Sequence, residues 1–266
     1  MTTKAISARK LLTIGNPKTE KGEKLGYWTA VLHLAPADLS GFEVCAGRTV
    51  GCTNGCLNTS GRGGIAAGIG ILTYDSISAG KRNPVQEARI ARTQWLFNDR
   101  TGFMAQLFKE IGAFVAKARK AGFIPAIRLN ATSDIRWEAK PFHLDGRSIM
   151  EWFADVTFYD YTKLSNRKGV PANYHLTFSL ADGNAAKAYE ALANGFNVAA
   201  VFRDIETRDY YMETGFMGRP VIDGDETDLR FLDPKVSIVG LYAKGSAKRD
   251  TSGFVIDFPQ AVALAA

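Results

Sequence analysis

Thiol and imidazole groups are scarce in this chain: its 266 residues hold only three cysteines and three histidines. So few thiols, odd in number, exclude a secreted disulfide scaffold and point to a reducing compartment. No uninterrupted apolar run approaches a membrane span, and Met1 to Lys10 lacks the apolar core of a secretory leader. A cytoplasmic protein with no membrane partner is the expectation. The Walker loop, the dinucleotide-binding GxGxxG, GxSxG and HExxH are all missing, as is the histidine–hydrophobic–histidine pair of rolling-circle nucleases. Repeats, low-complexity tracts and linkers are absent too, which leaves nothing to divide the chain. What is present is an ordinary apolar content of 46% and a net charge of +6, a mild basic excess that suits an anionic partner, DNA or RNA included.

All three cysteines fall in one stretch, Cys45-Ala-Gly-Arg-Thr-Val-Gly-Cys52-Thr-Asn-Gly-Cys56, followed by glycines that include Gly63 and Gly64. Small residues between the thiols let the backbone turn back and aim them at one point. Thiolates are soft ligands that select zinc, copper(I) or iron–sulfur clusters. A closed zinc site needs four ligands and must borrow His33, His143 or His175. A cubane cluster normally takes four cysteines, so three leave one iron open to an exchangeable group. The competing reading is that of small, partly buried cysteines in a glycine-rich turn.

Periodicity organises the remainder. Residues 1–26 are polar and lysine-rich and read as an N-terminal arm or hairpin; 27–266 read as a single α/β domain carrying the cysteine loop 45–64. Strands are expected at 27–34, 125–130, 156–162, 173–180, 197–202 and 236–243, with 68–74 a further strand or helix end. Helices are expected from Pro84, over 103–121, near 148–153 and over 184–194. The clearest places Phe103, Leu107, Ile111, Phe114, Val115 and Ala118 on one face and Lys109, Glu110, Lys117 and Lys120 on the other. Strands alternating with helices imply a mainly parallel sheet of about six to seven βα units, a complete or partial (βα) barrel. Active sites of such folds lie at the carboxyl ends of the strands. Those ends offer Asn130, Ser133, Asp134, Asp160, Lys163, Ser179, Arg203 and Lys244.

The cysteine loop ending Cys56-Leu-Asn-Thr-Ser-Gly-Arg-Gly, then Arg128-Leu-Asn-Ala-Thr-Ser-Asp134, Phe158-Tyr-Asp-Tyr-Thr-Lys163 and Gly240-Leu-Tyr-Ala-Lys244 resemble the phage-encoded gene product eighty-eight family, over about residues 44–255. That family carries little assigned chemistry. More distantly, a three-cysteine loop after the first strand of an α/β barrel is similar to the radical S-adenosylmethionine (SAM) enzymes, although the loop's intervals and Gly55 before the third cysteine differ from that superfamily's pattern. The resemblance implies a radical-SAM-like barrel with a [4Fe-4S] cluster on Cys45, Cys52 and Cys56, reductive cleavage of SAM, an electron donor from the host and location in the host cytoplasm. It further implies that Gly63, Gly64, Asn130, Ser133, Ser179 and Arg203 bind the cofactor, with Asp134, Asp160 and Lys163 catalytic. The substrate would be a small molecule or nucleic-acid-related. The alternative is a non-enzymatic phage nucleic-acid-binding protein with a structural zinc site. Two further runs read more simply: Asp223-Gly-Asp225-Glu-Thr-Asp228 as a solvated turn rather than a cation loop, and 244–250 as a solvated basic loop.

Overall fold

The computed structural model of the chain describes residues 10–15, 17–68 and 70–259. Its first elements are β1 (Leu12–Ile14), α1 (Pro17–Glu23), β2 (Tyr27–Leu32), α2 (Val50–Asn54), β3 (Ile65–Ala66), β4 (Gly70–Ile71), α3 (Tyr74–Ser78), α4 (Pro84–Asn98) and α5 (Arg100–Lys120). After them come β5 (Ile124–Arg128), α6 (Ile149–Trp152), β6 (Thr157–Thr162), β7 (Tyr174–Ser179), α7 (Ala185–Ala193) and β8 (Asn197–Phe202). The last are α8 (Ile205–Thr214), β9 (Val221–Asp223), β10 (Ile238–Tyr242) and β11 (Val255–Ile256).

Local chemistry explains the long helices. Asn83 caps α4 by accepting the Gln86 N–H, and Pro84 takes the first turn, where its missing N–H costs nothing. Asp99 caps α5, whose buried stripe is Phe103, Leu107, Ile111, Phe114, Val115 and Ala118, each such large apolar side chain stabilising by about 1.5–3 kcal/mol on burial. Gly122, at φ +81°, then turns the chain into β5. Glu110 departs from the solvated face expected for it, because its carboxylate accepts the Leu11 and Leu12 N–H groups at 2.9 Å and fastens β1.

The main sheet runs β1-β2-β5-β6-β7-β8-β10-β9. From β2 to β9 all pairs are parallel, and up to β8 each new strand is added on the same side. This is the sequential winding of a βα barrel, in which right-handed crossovers put the helices on one face. The sheet stays open, however, so a complete barrel is not formed. The reason lies at its first edge: β1 pairs antiparallel with β2, Leu12 opposite Leu32, and takes the hydrogen-bonding side that closure would require. Within the segment 1–26, β1 pairs with β2 at the sheet edge and α1 follows it, while residues 1–9 and 16 lie outside the described residues. Within 68–74 lie a short strand, β4, which forms with β3 a two-stranded ribbon apart from the main sheet, and the first residue of α3, Tyr74.

Alternation along the strands separates two faces. Trp28, Ala30, Leu32, Ile127, Leu129 and Phe158 join α5 in the largest core cluster. On the opposite face Phe231, from the turn after β9, packs edge-on against Tyr27 and Tyr159 and beside His175. Near the carboxyl edge β7 pairs with β8 as far as Ala199, and β11 pairs beyond it at Val201 and Phe202. The strands part there and β11 fills the opening.

Candidate functional site

The cysteine loop follows β2 and lies across the carboxyl edge of the sheet. Cys45 opens it, with its Sγ accepting the Ala37 N–H at 3.4 Å and facing the Thr132 carbonyl at 3.7 Å. Thr49 caps α2 by accepting the Cys52 N–H, and Asp182, in the loop after β7, accepts from the Thr49 hydroxyl and the Gly51 N–H. A carboxylate at this helix start complements its free N–H groups. The loop comes so close to its surroundings that glycine is required: a Cβ on Gly51 would meet Ser252, Asp182 and Phe254, and one on Gly47 would lie 2.8 Å from Lys163 Cβ. The result is a cavity of about 30 Å³ lined by Cys45, Cys52 and Cys56 together with Pro36, Ala37, Arg48, Thr53 and Tyr74. Arg48 and Tyr74 are tied at the rim through Asp38, and Arg48 also reaches Glu43 at 2.8 Å.

The residues expected at the strand ends divide into those near this cavity and those occupied elsewhere. Lys163 supports the loop at Gly47 and donates Nζ to Ser179 Oγ at 2.8 Å. Asp134 lies behind them, accepting the Lys163 N–H at 2.8 Å, with Arg167 at 3.8 Å. Asn130 is closed upon itself: its Oδ1 accepts from Ser133, Ile135 and Trp137 while its Nδ2 donates to the Ile135 carbonyl. Asp160 is fully buried and accepts the Leu129 and Asn130 N–H groups and the Tyr174 hydroxyl. Arg203 grips Asp257 and the Lys248 and Asp250 carbonyls. At Gly63 and Gly64 a side chain would strike the Asn58 and Thr59 carbonyls, so their bareness serves the folding of the loop. The acidic run is likewise engaged, Asp223 with Arg208, Asp225 with Lys244 and Asp228 with Arg128.

Burial and mutual repulsion push the Cys45 thiol up to about 12, and burial pushes Cys56 up to about 11, against the pull of nearby Arg89 and Lys163. Protons therefore stay on these sulfurs until something replaces them. The donor set suits a soft guest, with three thiols and no carboxylate or imidazole among the residues that line the cavity. Among the described residues, no three of His, Cys, Asp and Glu are grouped to hold a single metal ion. The present room is that of one or two waters, so a larger guest must displace the rim. None of the three histidines lines it. His143 is engaged with the Gly146 and Glu138 carbonyls, His175 packs beside Phe231, and burial with the Arg89, Arg128 and Arg92 guanidiniums holds His33 down to about 3, hence neutral.

Arg48, Tyr74 and Arg89 were not singled out from sequence. An arginine within the loop and one on the first long helix after it were the available signals. A family model, Gene product 88, matches residues 6–257, nearly the whole chain. The chain belongs to the Gene product 88 family of phage proteins. The match includes the cysteine loop and every strand of the sheet. No curated protein and no solved structure matches the chain. Among the described residues no helix is long and apolar enough to cross a membrane.

Proposed function

We propose that this Gene product 88 protein is an iron–sulfur protein that binds SAM and acts through it on a nucleotide or nucleic-acid-related substrate, in the manner of radical SAM enzymes. The observation that carries this reading is the gathering of every cysteine of the chain around one cavity at the carboxyl edge of a sequentially wound parallel sheet. Cys45, Cys52 and Cys56 would hold a [4Fe-4S] cluster, which supplies one-electron reduction and an iron without a protein ligand at which SAM is chelated. The remaining work falls to the chain. Cys45 and Cys56 give up their protons on loading, favoured by the positive charges of Arg89 and Lys163 beside Cys56. Ser179 holds the Lys163 ammonium, and Asp134 holds the Lys163 backbone. Asn130 and Asp160 act by position, keeping the β5 and β6 strand ends rigid. A host electron donor would deliver the reducing equivalent.

The same reading supports a phage protein acting in the host cytoplasm on an anionic substrate, given the net charge of +6. The alternative, a nucleic-acid-binding protein with structural zinc, has less support because no histidine lines the cavity. Colour separates the two. Purified without oxygen, the iron–sulfur protein is brown and absorbs near about 400 nm, as thiolate-bound clusters do and closed-shell zinc does not. Iron and sulfide analysis gives the stoichiometry, and 5′-deoxyadenosine released from SAM under reduction reads the activity. A colourless protein carrying zinc overturns the proposal.

A further inference from the structure

Two of the residues that line the thiol cavity come from separate segments, Arg48 from the cysteine loop and Tyr74 from the start of α3. Arg48 braces the loop from within. Its Nε reaches Glu43 at 2.8 Å and its Nη1 the Thr53 hydroxyl at 3.4 Å, so it spans the loop from before Cys45 to after Cys52. Tyr74 packs its ring against a small core that includes Leu39, Leu72 and Ile77, and its hydroxyl has one partner among the described residues, the Asp38 carboxylate. The other oxygen of that carboxylate accepts from Arg48 Nη2 at 3.1 Å. Asp38 thereby joins the loop arginine to the helix tyrosine across the cavity. It also follows directly on Ala37, which sits at φ +52°, a left-handed conformation uncommon outside glycine, and gives its N–H to Cys45 Sγ.

This junction is easily broken. The Asp38 side chain is 57% exposed, and links of that kind contribute little to the stability of a fold. Helix α3 does not depend on it, because Thr73 and Ser76 cap one another and Ile77 is fully buried. Arg48 keeps Glu43 and Thr53 when Asp38 lets go, whereas the Tyr74 hydroxyl keeps nothing. The ring can then turn without disturbing the backbone.

We propose that Asp38 is a clasp that controls entry to the thiol cavity: it holds the Tyr74 ring beside Arg48, and its release lets the ring swing out and admits a guest larger than water. The clasp regulates the site of the functional reading above and rests on that reading for the identity of the guest. Volume is the physical ground. A cavity of about 30 Å³ takes one or two waters, and a cluster of several atoms needs more. Among the groups lining it, the Tyr74 ring is the largest, and its polar end is fastened at a single point.

The test uses the full chain, purified without oxygen, its iron content recorded, and then dialysed against chelator and reductant. Iodoacetamide, small and uncharged, labels the three thiols at one fixed pH, and mass spectrometry reads the rate at each cysteine. Asp38→Ala and Tyr74→Phe should each speed labelling of Cys52 and Cys56 about fivefold, the scale of one exposed charge-assisted link. The double variant should be no faster than the faster single one, because both changes break the same link. Asp155→Ala, which removes an exposed partner of Arg119 far along the chain, should label at the parent rate with the circular dichroism of all variants unchanged. Should Asp38→Ala misfold, Tyr74→Phe, which removes one oxygen atom, reads the clasp alone. Rates within twofold of the parent, acceleration in Asp38→Ala without acceleration in Tyr74→Phe, or gains that multiply in the double variant overturn the proposal. Labelling needs no iron, so an iron-free protein with the expected rates counts only against the cluster. An iron-binding protein whose labelling ignores Asp38 counts only against the clasp.

Discussion

Past β8 and β10, Arg203 is held by Asp257, Arg208 by Asp223 and Lys244 by Asp225; around the cysteine cavity, Arg89 and Lys163 are held by an amide and a hydroxyl. Both regions lie at the same carboxyl edge, and both supply the polar residues that a barrel mouth is expected to supply. One has its charges fastening loops, and the other keeps, besides Arg48 paired with Asp38 and Glu43, three thiols and two cations that have no carboxylate partner among the described residues. Polarity at a strand end is therefore a poor guide to chemistry. The presence or absence of a partner is the discriminating property, because an unpaired recessed charge has a cost that folding alone does not recover.

The largest expected effect is that of Cys52→Ala, which should remove bound iron and the absorbance near about 400 nm. Full iron content in that variant would put the cysteine region on the same footing as the fastening region. Next comes Gly64→Ala, where a methyl would collide with the Thr59 carbonyl. A loss of about 3 kcal/mol in urea unfolding is expected, from overpacking against backbone that cannot withdraw. Gly64→Ala with unchanged stability but weakened SAM binding would restore this glycine to the cofactor.

Asp160 sharpens the contrast through pH. Burial, opposed by Arg128 and the hydrogen bonds it accepts, raises its carboxyl from 3.8 to about 7. The folded chain thus keeps a proton that the unfolded chain has released. Its stabilising contribution is complete below 3.8 and is lost as pH rises towards 7. At about 1.4 kcal/mol for each pH unit between the two values, the loss is on the order of 4 kcal/mol. Asp160→Asn should flatten that fall in chemical denaturation, with iron content kept. A pH dependence identical to that of the parent would show that Asp160 does not titrate in this way. Smallest is Arg203→Ala: its pair with Asp257 is partly exposed and solvent-screened, so less than about 1 kcal/mol is expected, with iron and SAM binding intact. Loss of either would move the functional site towards β8.

Much of the fold was legible because the periodic signals were strong. The α5 stripe, the apolar run of β8 and the Asn83-Pro84 start of α4 all lie where the pattern places them. The elements that escaped it were weak in the same respect. The apolar residues of α8, Ile205-Glu-Thr-Arg-Asp-Tyr-Tyr-Met-Glu-Thr, do not gather on one stripe, and β1, β9 and β11 are two or three residues long. Glu110 shows a further limit: its helical face was readable, whereas the two backbone N–H groups it accepts come from a strand about a hundred residues away.

By itself the sequence determined the α/β class, the order of the main strands and the confinement of all three thiols to one loop, since these depend on residue type and short-range spacing. Only the tertiary structure decided that the sheet stays open, because β1 reaches the free side of β2 from the opposite direction. It also decided which strand-end residues have partners. Asp160 and Arg203 look alike as polar punctuation after a strand, and one is sealed beneath Tyr174 while the other clasps Asp257. Pairing of that kind is set by distances between segments far apart in the chain, which no local pattern encodes.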